Sequence, residues 1–251
     1  MPVAVVTGGS KGLGRALALA LAERGWSLVL TARGAGELAE AARAAEGLGG
    51  VVRTVAGDVA DAGHRGAVVA AARALGGVDL LVNNASALGA SPLVTLAGLD
   101  TAGLRAALET NVVAAHGLVR QALPLLRAAP AGAVVSVSSD AAVEAYPTWG
   151  GYGASKAALD HWSAVLGVEE PGLRVWAVDP GDLRTELYRA AVPDDPDEAG
   201  RPEPESVVPA FLRLLDERPA SGRYTAAALL EAAVDGAGRL AVVEGVRGVR
   251  D

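Results

Sequence analysis

The residues of this sequence best suited to chemistry are Tyr152 and Lys156, in the run Tyr-Gly-Ala-Ser-Lys. Lysine is rare here: the chain has two, Lys11 and Lys156, against twenty arginines. Residues four apart lie on one face of a helix, so the phenol and the ammonium would project together. An ammonium that lowers the phenol pKa by about 2–3, through roughly 3–4 kcal/mol of differential stabilisation, makes a general acid/base for neutral pH. The alternative is a chance spacing, because Tyr-x-x-x-Lys is common by itself.

A glycine-rich stretch near the N-terminus is suited to bind phosphate. It reads Thr7-Gly-Gly-Ser-Lys-Gly-Leu-Gly14, between a strand pattern and a helix pattern. Glycines let backbone N–H groups approach a diphosphate at a helix N-terminus, where the helix dipole favours negative charge. Such turns also join strands to helices without a ligand, and a lone motif of this kind is weak. Its place in the first strand–helix unit favours a dinucleotide site.

The end of the second predicted strand bears on the choice of dinucleotide. NAD-binding proteins usually place an acid there for the ribose 2′-hydroxyl. Here Leu28–Thr31 is followed by Ala-Arg33-Gly, without an acid. Arg33 and Lys11 together present two cations and no carboxylate, which suits a 2′-phosphate and therefore predicts NADP(H). The alternative is that Arg33 is one more surface arginine.

The elements that must position these residues alternate along the chain. The predicted strands are Val3–Thr7, Leu28–Thr31, Val51–Ala56, Leu80–Asn83, Val134–Ser138 and Val175–Asp179. The predicted helices are Gly14–Arg24, Glu37–Leu48, Gly63–Leu75, Leu104–Arg127 and Tyr152–Glu169. Near-continuous apolar strands separated by helices predict an α/β fold of the Rossmann type. This is a doubly wound parallel sheet in a three-layer α/β/α arrangement, with a single domain over residues 1–251.

The composition argues against several other classes of protein. No apolar run approaches 18 residues, which predicts no membrane-spanning helix. No basic leader precedes the first strand pattern, so we expect no signal peptide and a cytoplasmic location. The net charge of −7 argues against nucleic acid as a partner. Without cysteine there is no disulfide or thiolate chemistry, and the three histidines have no metal-ligand spacing, so no metal site is predicted.

With its further motifs, the sequence resembles the short-chain dehydrogenase/reductase family, in the single-domain branch of about this length, over nearly the whole chain. The matching motifs are Thr7-Gly-x-x-x-Gly12-x-Gly14, Asp58-Val59, Asn83-Asn-Ala-Ser86, Asn111 in Thr-Asn-Val-Val, Ser139, Tyr152 with Lys156, and Pro180-Gly-Asp-Leu-Arg-Thr185. Ser139 lies thirteen residues before Tyr152, as the family spacing requires. Ser86 is a departure, because the family has glycine there. All three asparagines and both lysines of the chain fall within these motifs.

The resemblance implies a role for each matched residue. Ser139 would hydrogen-bond the substrate oxygen, Tyr152 would exchange the proton, and Lys156 would lower the tyrosine pKa and hold the nicotinamide ribose. Asn111 would anchor a water linked to Lys156. The implied cofactor-binding residues are Gly8, Ser10, Lys11, Gly12, Leu13, Gly14, Arg33, Asp58, Val59, Asn84, Ala85, Tyr152, Lys156, Pro180, Gly181, Leu183 and Thr185. The implied reaction is hydride transfer between NADP(H) and a small-molecule carbonyl or alcohol, in the direction of carbonyl reduction.

The substrate-binding residues are less well defined. Candidate segments are 86–91, 140–149 and 186–206, of which the last is the expected substrate loop. A candidate apolar or aromatic lining consists of Tyr146, Trp149, Leu187 and Tyr188. Packing beneath loops accounts for these four residues equally well, and the acidic tract 194–198 is expected to be solvated.

The C-terminal region departs from the family pattern of a Thr-Gly segment, a strand and Val-Asp-Gly-Gly. The matching strand is either Gly222–Thr225 or Gly238–Val243, and Val234-Asp-Gly-Ala237 has the wrong spacing for the first choice. Because this region often supports tetramers in the family, we expect a homo-oligomer and leave both a homodimer and a homotetramer open.

Three functions stay open on the sequence alone. The first is an NADPH-dependent carbonyl reductase. The second is an epimerase or dehydratase of the same fold, although those relatives tend to be longer and to have a different glycine spacing. The third is an NADP-sensing binding protein without turnover, which would usually lack the tyrosine or the lysine. The presence of Tyr152, Lys156, Ser139 and Asn111 favours the first.

Overall fold

The strands of the described chain form one parallel sheet in the order β3-β2-β1-β4-β5-β6-β7. They are β1 Val3–Thr7, β2 Ser27–Ala32, β3 Val52–Ala56, β4 Leu80–Asn83, β5 Ala133–Val137, β6 Arg174–Asp179 and β7 Gly222–Thr225. This computed structural model describes residues 1–231. From β1 the chain builds the sheet outward through β2 and β3, then returns to the other side of β1 for β4 to β7. The strand order therefore reverses between β1 and β4.

Helices cover both faces of the sheet. They are α1 Gly12–Glu23, α2 Ala35–Glu46, α3 Ala62–Leu75, α4 Thr101–Leu108, α5 Ala114–Ala128, α6 Gly150–Glu169, α7 Glu186–Ala191, α8 Val208–Glu217 and α9 Ala226–Glu231. Side-chain caps fix several of the starts, as where Asp61 accepts a hydrogen bond from the His64 amide at 2.6 Å at the start of α3. A π-helical segment, Glu109–Val113, joins α4 to α5.

The strand pleat divides the core into two clusters. Ala4 and Val6 of β1 pack with the apolar faces of α1, α2 and α8. Val3 and Val5, which point to the opposite face, pack with α3 and α5. The central strands β1, β4 and β5 are buried on both faces, which explains why they are mostly apolar rather than alternating, whereas the edge strand β3 exposes Arg53 and Thr54.

The predicted doubly wound parallel sheet is confirmed, with shifts at the element ends. The predicted helix Leu104–Arg127 begins earlier, at Thr101, and contains the π-helical segment that its apolar periodicity did not reveal. The stretch predicted as a loop, Val192–Ser206, contains short 3₁₀ turns at 198–200 and 204–207. Of the two candidates for the last strand, Gly222–Thr225 is β7, and Gly238–Val243 lies outside the described residues.

Candidate active site

A cleft of about 1070 Å³ lies across the carboxyl ends of the strands. The loops that follow β1 and β4 both line it, at the point where the strand order reverses. Open α/β sheets bind ligands at such a position, because the two loops leave the sheet in opposite directions and open a crevice between them.

The glycine-rich turn after β1 forms one wall of this cleft. Gly8 and Gly12 have φ of +63° and +54°, a conformation that side chains disfavour. A Cβ on Gly8 would lie 2.8 Å from Asn84 Nδ2, and a Cβ on Gly14 would collide with the Gly8 carbonyl oxygen. Asn84 holds the turn in place by donating from Nδ2 to the Thr7 carbonyl at 2.8 Å. The turn thus keeps backbone exposed to the cleft at the N-terminus of α1, which fits the diphosphate of a dinucleotide.

Arg33 and Lys11 are the two residues that the sequence predicts to bind the 2′-phosphate of the cofactor, at the adenosine end of the cleft. Arg33 lines the cleft, is exposed, and makes no ion pair within residues 1–231. Lys11 also lines the cleft, but its ammonium lies 2.5 Å from Glu186 Oε2 and 3.4 Å from Glu37 Oε1. The hydrogen bond to Glu186 raises the pKa of Lys11. Arg33 can meet a phosphate directly, whereas Lys11 would first exchange its carboxylate partners.

Three side chains suited to proton transfer meet at another part of the cleft. Ser139 follows β5, and Tyr152 and Lys156 project from one face of α6, with Lys156 Nζ 5.5 Å from the Tyr152 ring centroid. Lys156 is 1% exposed, and its Nζ donates to the Val137 carbonyl at 2.7 Å. The Trp149 ring packs edge-on against Tyr152, with centroids 5.7 Å apart. Packing therefore holds the phenol and the ammonium beside each other, as the four-residue spacing predicts.

The protonation of this group is set mainly by burial. Burial raises the pKa of Tyr152 to about 12, and the charges of Asp179 and Asp140 act in the same direction. Burial lowers the pKa of Lys156 to about 8, against the charge of Asp160, which raises it. In the polypeptide by itself desolvation dominates the pKa of Tyr152, and the expected lowering of that pKa by Lys156 together with a bound nicotinamide stays a prediction. At pH 7 Tyr152 is a protonated acid beside a cation.

Asn111 lies in the π-helical segment and is buried. Its Oδ1 accepts a hydrogen bond from the Ala87 amide at 2.8 Å, and its Nδ2 donates to the Ala87 carbonyl at 2.9 Å and to Ser155 Oγ at 2.8 Å. Ser155 Oγ in turn donates to the Tyr152 carbonyl at 2.6 Å. The side chain therefore joins the loop after β4 to α6, and the expected water-anchoring role stays a prediction.

The segment after β6 forms the wall that faces the glycine-rich turn. Asp179, at the end of β6, accepts a hydrogen bond from the Gly181 amide at 3.0 Å. Gly181 has φ of +75°, so glycine suits this bend. A Cβ on Gly12 would lie 3.4 Å from Thr185 Cγ2, which is van der Waals contact. The two walls therefore come within contact distance of each other here, and glycine suits position 12 because of its φ rather than for lack of space.

The cleft is lined by almost all of the residues predicted to bind the cofactor or to act on the substrate. They are Gly8, Ser10, Lys11, Gly12, Leu13, Arg33, Asp58, Val59, Asn84, Ala85, Ser139, Tyr152, Lys156, Pro180, Gly181, Leu183 and Thr185. Gly14 and Asn111 do not line it. Gly14 packs beneath the turn, and Asn111 packs between the loop after β4 and α6.

The three segments predicted for the substrate reach the cleft to different extents: 86–91 in full, 140–149 only at Trp149, and 186–206 near its two ends. All of residues 86–91 line it, with Trp149, Leu187 and Tyr188. Tyr146 does not: it is exposed, and its hydroxyl donates to Asp140 Oδ2 at 3.0 Å, so its predicted place in the lining is wrong.

Within the acidic tract 194–198, Asp195 departs from the expectation of a solvated segment. It accepts hydrogen bonds from the Tyr188 hydroxyl at 2.9 Å and from Arg201 Nε at 3.1 Å. Its side chain is 8% exposed. Asp195 therefore links Tyr188 to Arg201 within the expected substrate loop.

Several polar residues near the cleft gave no sequence signal. Glu37 and Glu186, which pair with Lys11, and Arg15, which lines the cleft, stand outside the motifs. Arg223 of β7 contacts the backbone of Ser139. Of these, only Glu37 had a signal in the sequence: it lies one turn after Arg33, on the first turn of α2, and so near the predicted 2′-phosphate site.

Comparison with known proteins now identifies the class. A family profile described as short chain dehydrogenase matches residues 2–196. The chain therefore belongs to the short-chain dehydrogenase family, whose members are oxidoreductases that use nicotinamide cofactors. An uncharacterized oxidoreductase of Mycobacterium tuberculosis is 34% identical over 196 residues, covering 77% of this chain and 73% of that protein. The L-xylulose reductase of Bos taurus is 34% identical over 235 residues, covering 86% and 89%.

The solved structures agree with this membership. One match is an alcohol dehydrogenase from the archaeon Thermococcus sibiricus, complexed with 5-hydroxy-NADP. It superposes with a TM-score of 0.81 at 27% identity and covers 90% of this chain and 95% of its own. Within residues 1–231, no helix has both the length and the apolar character needed to cross a membrane.

Proposed function

We propose that this protein is an NADP(H)-dependent carbonyl reductase, which converts a ketone or aldehyde to an alcohol with Tyr152 as the proton donor. The observation that carries the proposal is that one cleft holds a glycine-rich turn, an exposed Arg33, and Ser139 together with the buried Tyr152 and Lys156. Each of these three features also occurs singly in proteins that catalyse no hydride transfer. Their convergence at the reversal of the strand order is what favours this reaction.

The cofactor supplies the hydride, and the chain supplies binding, orientation and a proton. The backbone of the glycine-rich turn is suited to the diphosphate, and Arg33 to the 2′-phosphate. NADP(H) rather than NAD(H) is favoured because no carboxylate follows β2 where a 2′-hydroxyl would need one. The NADP compound held by the archaeal alcohol dehydrogenase gives independent support.

The proton is supplied at the Tyr152 hydroxyl. Because burial keeps its pKa high, the phenol is protonated across the physiological range and can donate to an oxygen that gains negative charge. We assign to the Ser139 hydroxyl, which belongs to the same cleft, a hydrogen bond to that same oxygen. Lys156, a cation below about pH 8, stabilises the phenolate that remains. Reduction, which consumes a proton, matches a protonated acid better than oxidation does.

The substrate side of the cleft suits a small, partly apolar molecule. Trp149, Leu187 and Tyr188 provide an apolar surface, and Ser86 and Ser91 add hydroxyl groups. We further propose that residues 186–206 form a loop that contacts the substrate, because α7, the first helix of this segment, lines the cleft.

The proposal is tested by following NADPH absorbance with a panel of ketones, aldehydes and quinones. We expect turnover with at least one member of the panel, and the reverse reaction with the corresponding alcohol and NADP⁺. A protein that binds NADPH but turns over nothing in either direction would favour a sensing role instead. Failure to bind any dinucleotide would remove the whole proposal.

A further inference from the structure

Arg223, on β7, lies behind the group that holds Ser139 and Lys156, and it is one of the few buried charged residues of the described chain. Its Nε donates to Asp160 Oδ2 at 2.9 Å. Its Nη2 donates to the Ser139 carbonyl at 3.0 Å and to Asp179 Oδ2 at 3.3 Å. The side chains of Arg223, Asp160 and Asp179 are each less than a tenth exposed.

Each of these contacts reaches a different part of the proposed site. Asp160 lies one turn after Lys156 on α6, and its charge acts on that ammonium. Ser139 lines the cleft, and its backbone carbonyl is held by Arg223. Asp179 holds the Gly181 amide, at the start of the segment that faces the glycine-rich turn. One guanidinium therefore connects α6, the end of β5 and the end of β6.

The charges favour a functional role for this arrangement over a simple cross-link. A buried cation is costly unless it is paired and hydrogen-bonded, and a tie between β7 and β6 could be made by an apolar contact. Here Arg223 balances Asp160 and Asp179 close to Lys156 and Tyr152. The field of Asp179 acts on the phenol, as does that of Asp140 beyond β5. The planar fork of arginine meets the two carboxylates and the carbonyl from two separate nitrogens, whereas a lysine would have to reach all three from a single nitrogen.

We propose that Arg223 is a positioning residue: it fixes the Ser139 backbone and, through Asp160, sets the electrostatic environment of Lys156. This inference rests on the proposed function, because Ser139 and Lys156 matter only if the cleft performs hydride transfer. Arg223 acts through these residues and does not line the cleft itself.

The test compares Arg223→Gln with Arg24→Gln, which removes a surface ion pair to Asp216 far from the site. For Arg223→Gln we expect kcat to fall about 10- to 100-fold, with NADPH affinity within about threefold of wild type. The apparent pKa in the pH profile of kcat/KM should rise, because a positive charge near Tyr152 and Lys156 is lost. Adding Asp160→Asn removes the facing negative charge and should bring that pKa back toward wild type. Arg24→Gln should change neither quantity.

Several outcomes would overturn the inference. One is an Arg223→Gln protein that melts at a lower temperature but keeps wild-type kcat and pH profile, since a structural tie alone would behave that way. If Arg223→Gln does not fold, Arg223→Lys replaces it: a lower kcat with an unchanged pKa supports the inference, and wild-type kcat overturns it. Tyr152→Phe, measured in parallel, distinguishes a failure of the proposed function from a failure of this inference. An active Tyr152→Phe protein defeats the proposed function, whereas an inactive one beside a fully active Arg223→Gln defeats only this inference.

Discussion

Lys156 has surroundings unlike those of a surface lysine. Its ammonium is buried, bonds the Val137 carbonyl and lies beside the Tyr152 ring. A surface cation in this chain is almost always arginine. Arginine stays charged at all accessible pH values, whereas a buried lysine can lose its proton. The one buried lysine of the described chain thus has a pKa, about 8, at which it can lose its proton close to neutral pH.

The pH dependence of reduction should report this lysine. Burial lowers the pKa of Lys156 to about 8, whereas burial raises the pKa of Tyr152 to about 12. Below pH 8 the ammonium is charged, and above it the charge is lost. We expect kcat/KM for NADPH to be level from about pH 6 to 7.5 and to fall about tenfold per pH unit above an apparent pKa near 8.

The matched variant for this profile is Lys156→Arg. The guanidinium keeps its charge, so the fall near pH 8 should disappear, but its shape does not suit the site and the rate should be low throughout. A wild-type rate that falls on the acid side of pH 8, or that is level to about pH 10, would contradict the assignment.

Cofactor choice depends on Arg33. A charged hydrogen bond contributes roughly 1.5–3 kcal/mol, less where solvent screens it. Because Lys11 is already paired with Glu37 and Glu186, Arg33 should carry most of the discrimination. We expect wild type to prefer NADPH over NADH on the order of 10²-fold in kcat/KM, and Arg33→Asp to shrink or reverse this ratio.

The control for that measurement is Arg43→Asp, which makes the same charge change at the exposed far end of α2. It should leave the ratio as in wild type. Equal affinities of wild type for the two cofactors, or tighter binding of NADH, would leave Arg33 as an ordinary surface charge.

Among the elements, the π-helical segment 109–113 is the one that the apolar periodicity of the sequence did not predict. One extra residue in a helical turn shifts the following residues around the axis, yet the apolar spacing of α4 and α5 is that of one continuous helix. The wide turn places Asn111 between Ala87 and Ser155. Such bulges occur often at functional sites, and this one positions both the loop after β4 and the backbone of Tyr152.

Asn111→Ala tests that element. It leaves the Ala87 amide and carbonyl without their side-chain partners, so unfolding free energy should fall by about 1–3 kcal/mol. The turnover number should fall as well, because α6 loses a contact one turn from Tyr152. Thermal denaturation and initial rates measure the two effects. An Ala variant with wild-type stability and rate would contradict this role.

At the scale of the whole molecule, the sequence predicted the sheet and the cleft well because they depend on local patterns. Strand apolarity, the glycine-rich turn and the Tyr152–Lys156 spacing each sit within a few residues of chain. The network around Arg223 joins residues 44 to 84 positions apart. No short pattern encodes it, and one more arginine in an arginine-rich chain draws no notice. The pairing of Lys11 with Glu186, 175 positions away, was missed for the same reason.

Binding of the cofactor should be visible in the stability of the entire chain. A ligand at 100 times its dissociation constant raises the unfolding free energy by about 2.7 kcal/mol. We therefore expect NADPH to raise the melting temperature by several degrees and NADH, at the same concentration, by much less. Salt should reduce the NADPH shift more, because the phosphate contact at Arg33 is exposed. Identical shifts for the two dinucleotides would contradict the proposed 2′-phosphate site.

The central claim is that one cleft binds the dinucleotide and donates the proton from Tyr152. The most direct measurement is a comparison of Tyr152→Phe with wild type, using NADPH titration and turnover of a good carbonyl substrate in the same preparations. We expect NADPH affinity and melting temperature close to wild type, and a turnover number lower by about 10²–10⁴-fold. A phenylalanine variant that retains more than about a tenth of the wild-type rate, a loss far below that of a general acid, would show that the proton comes from another group.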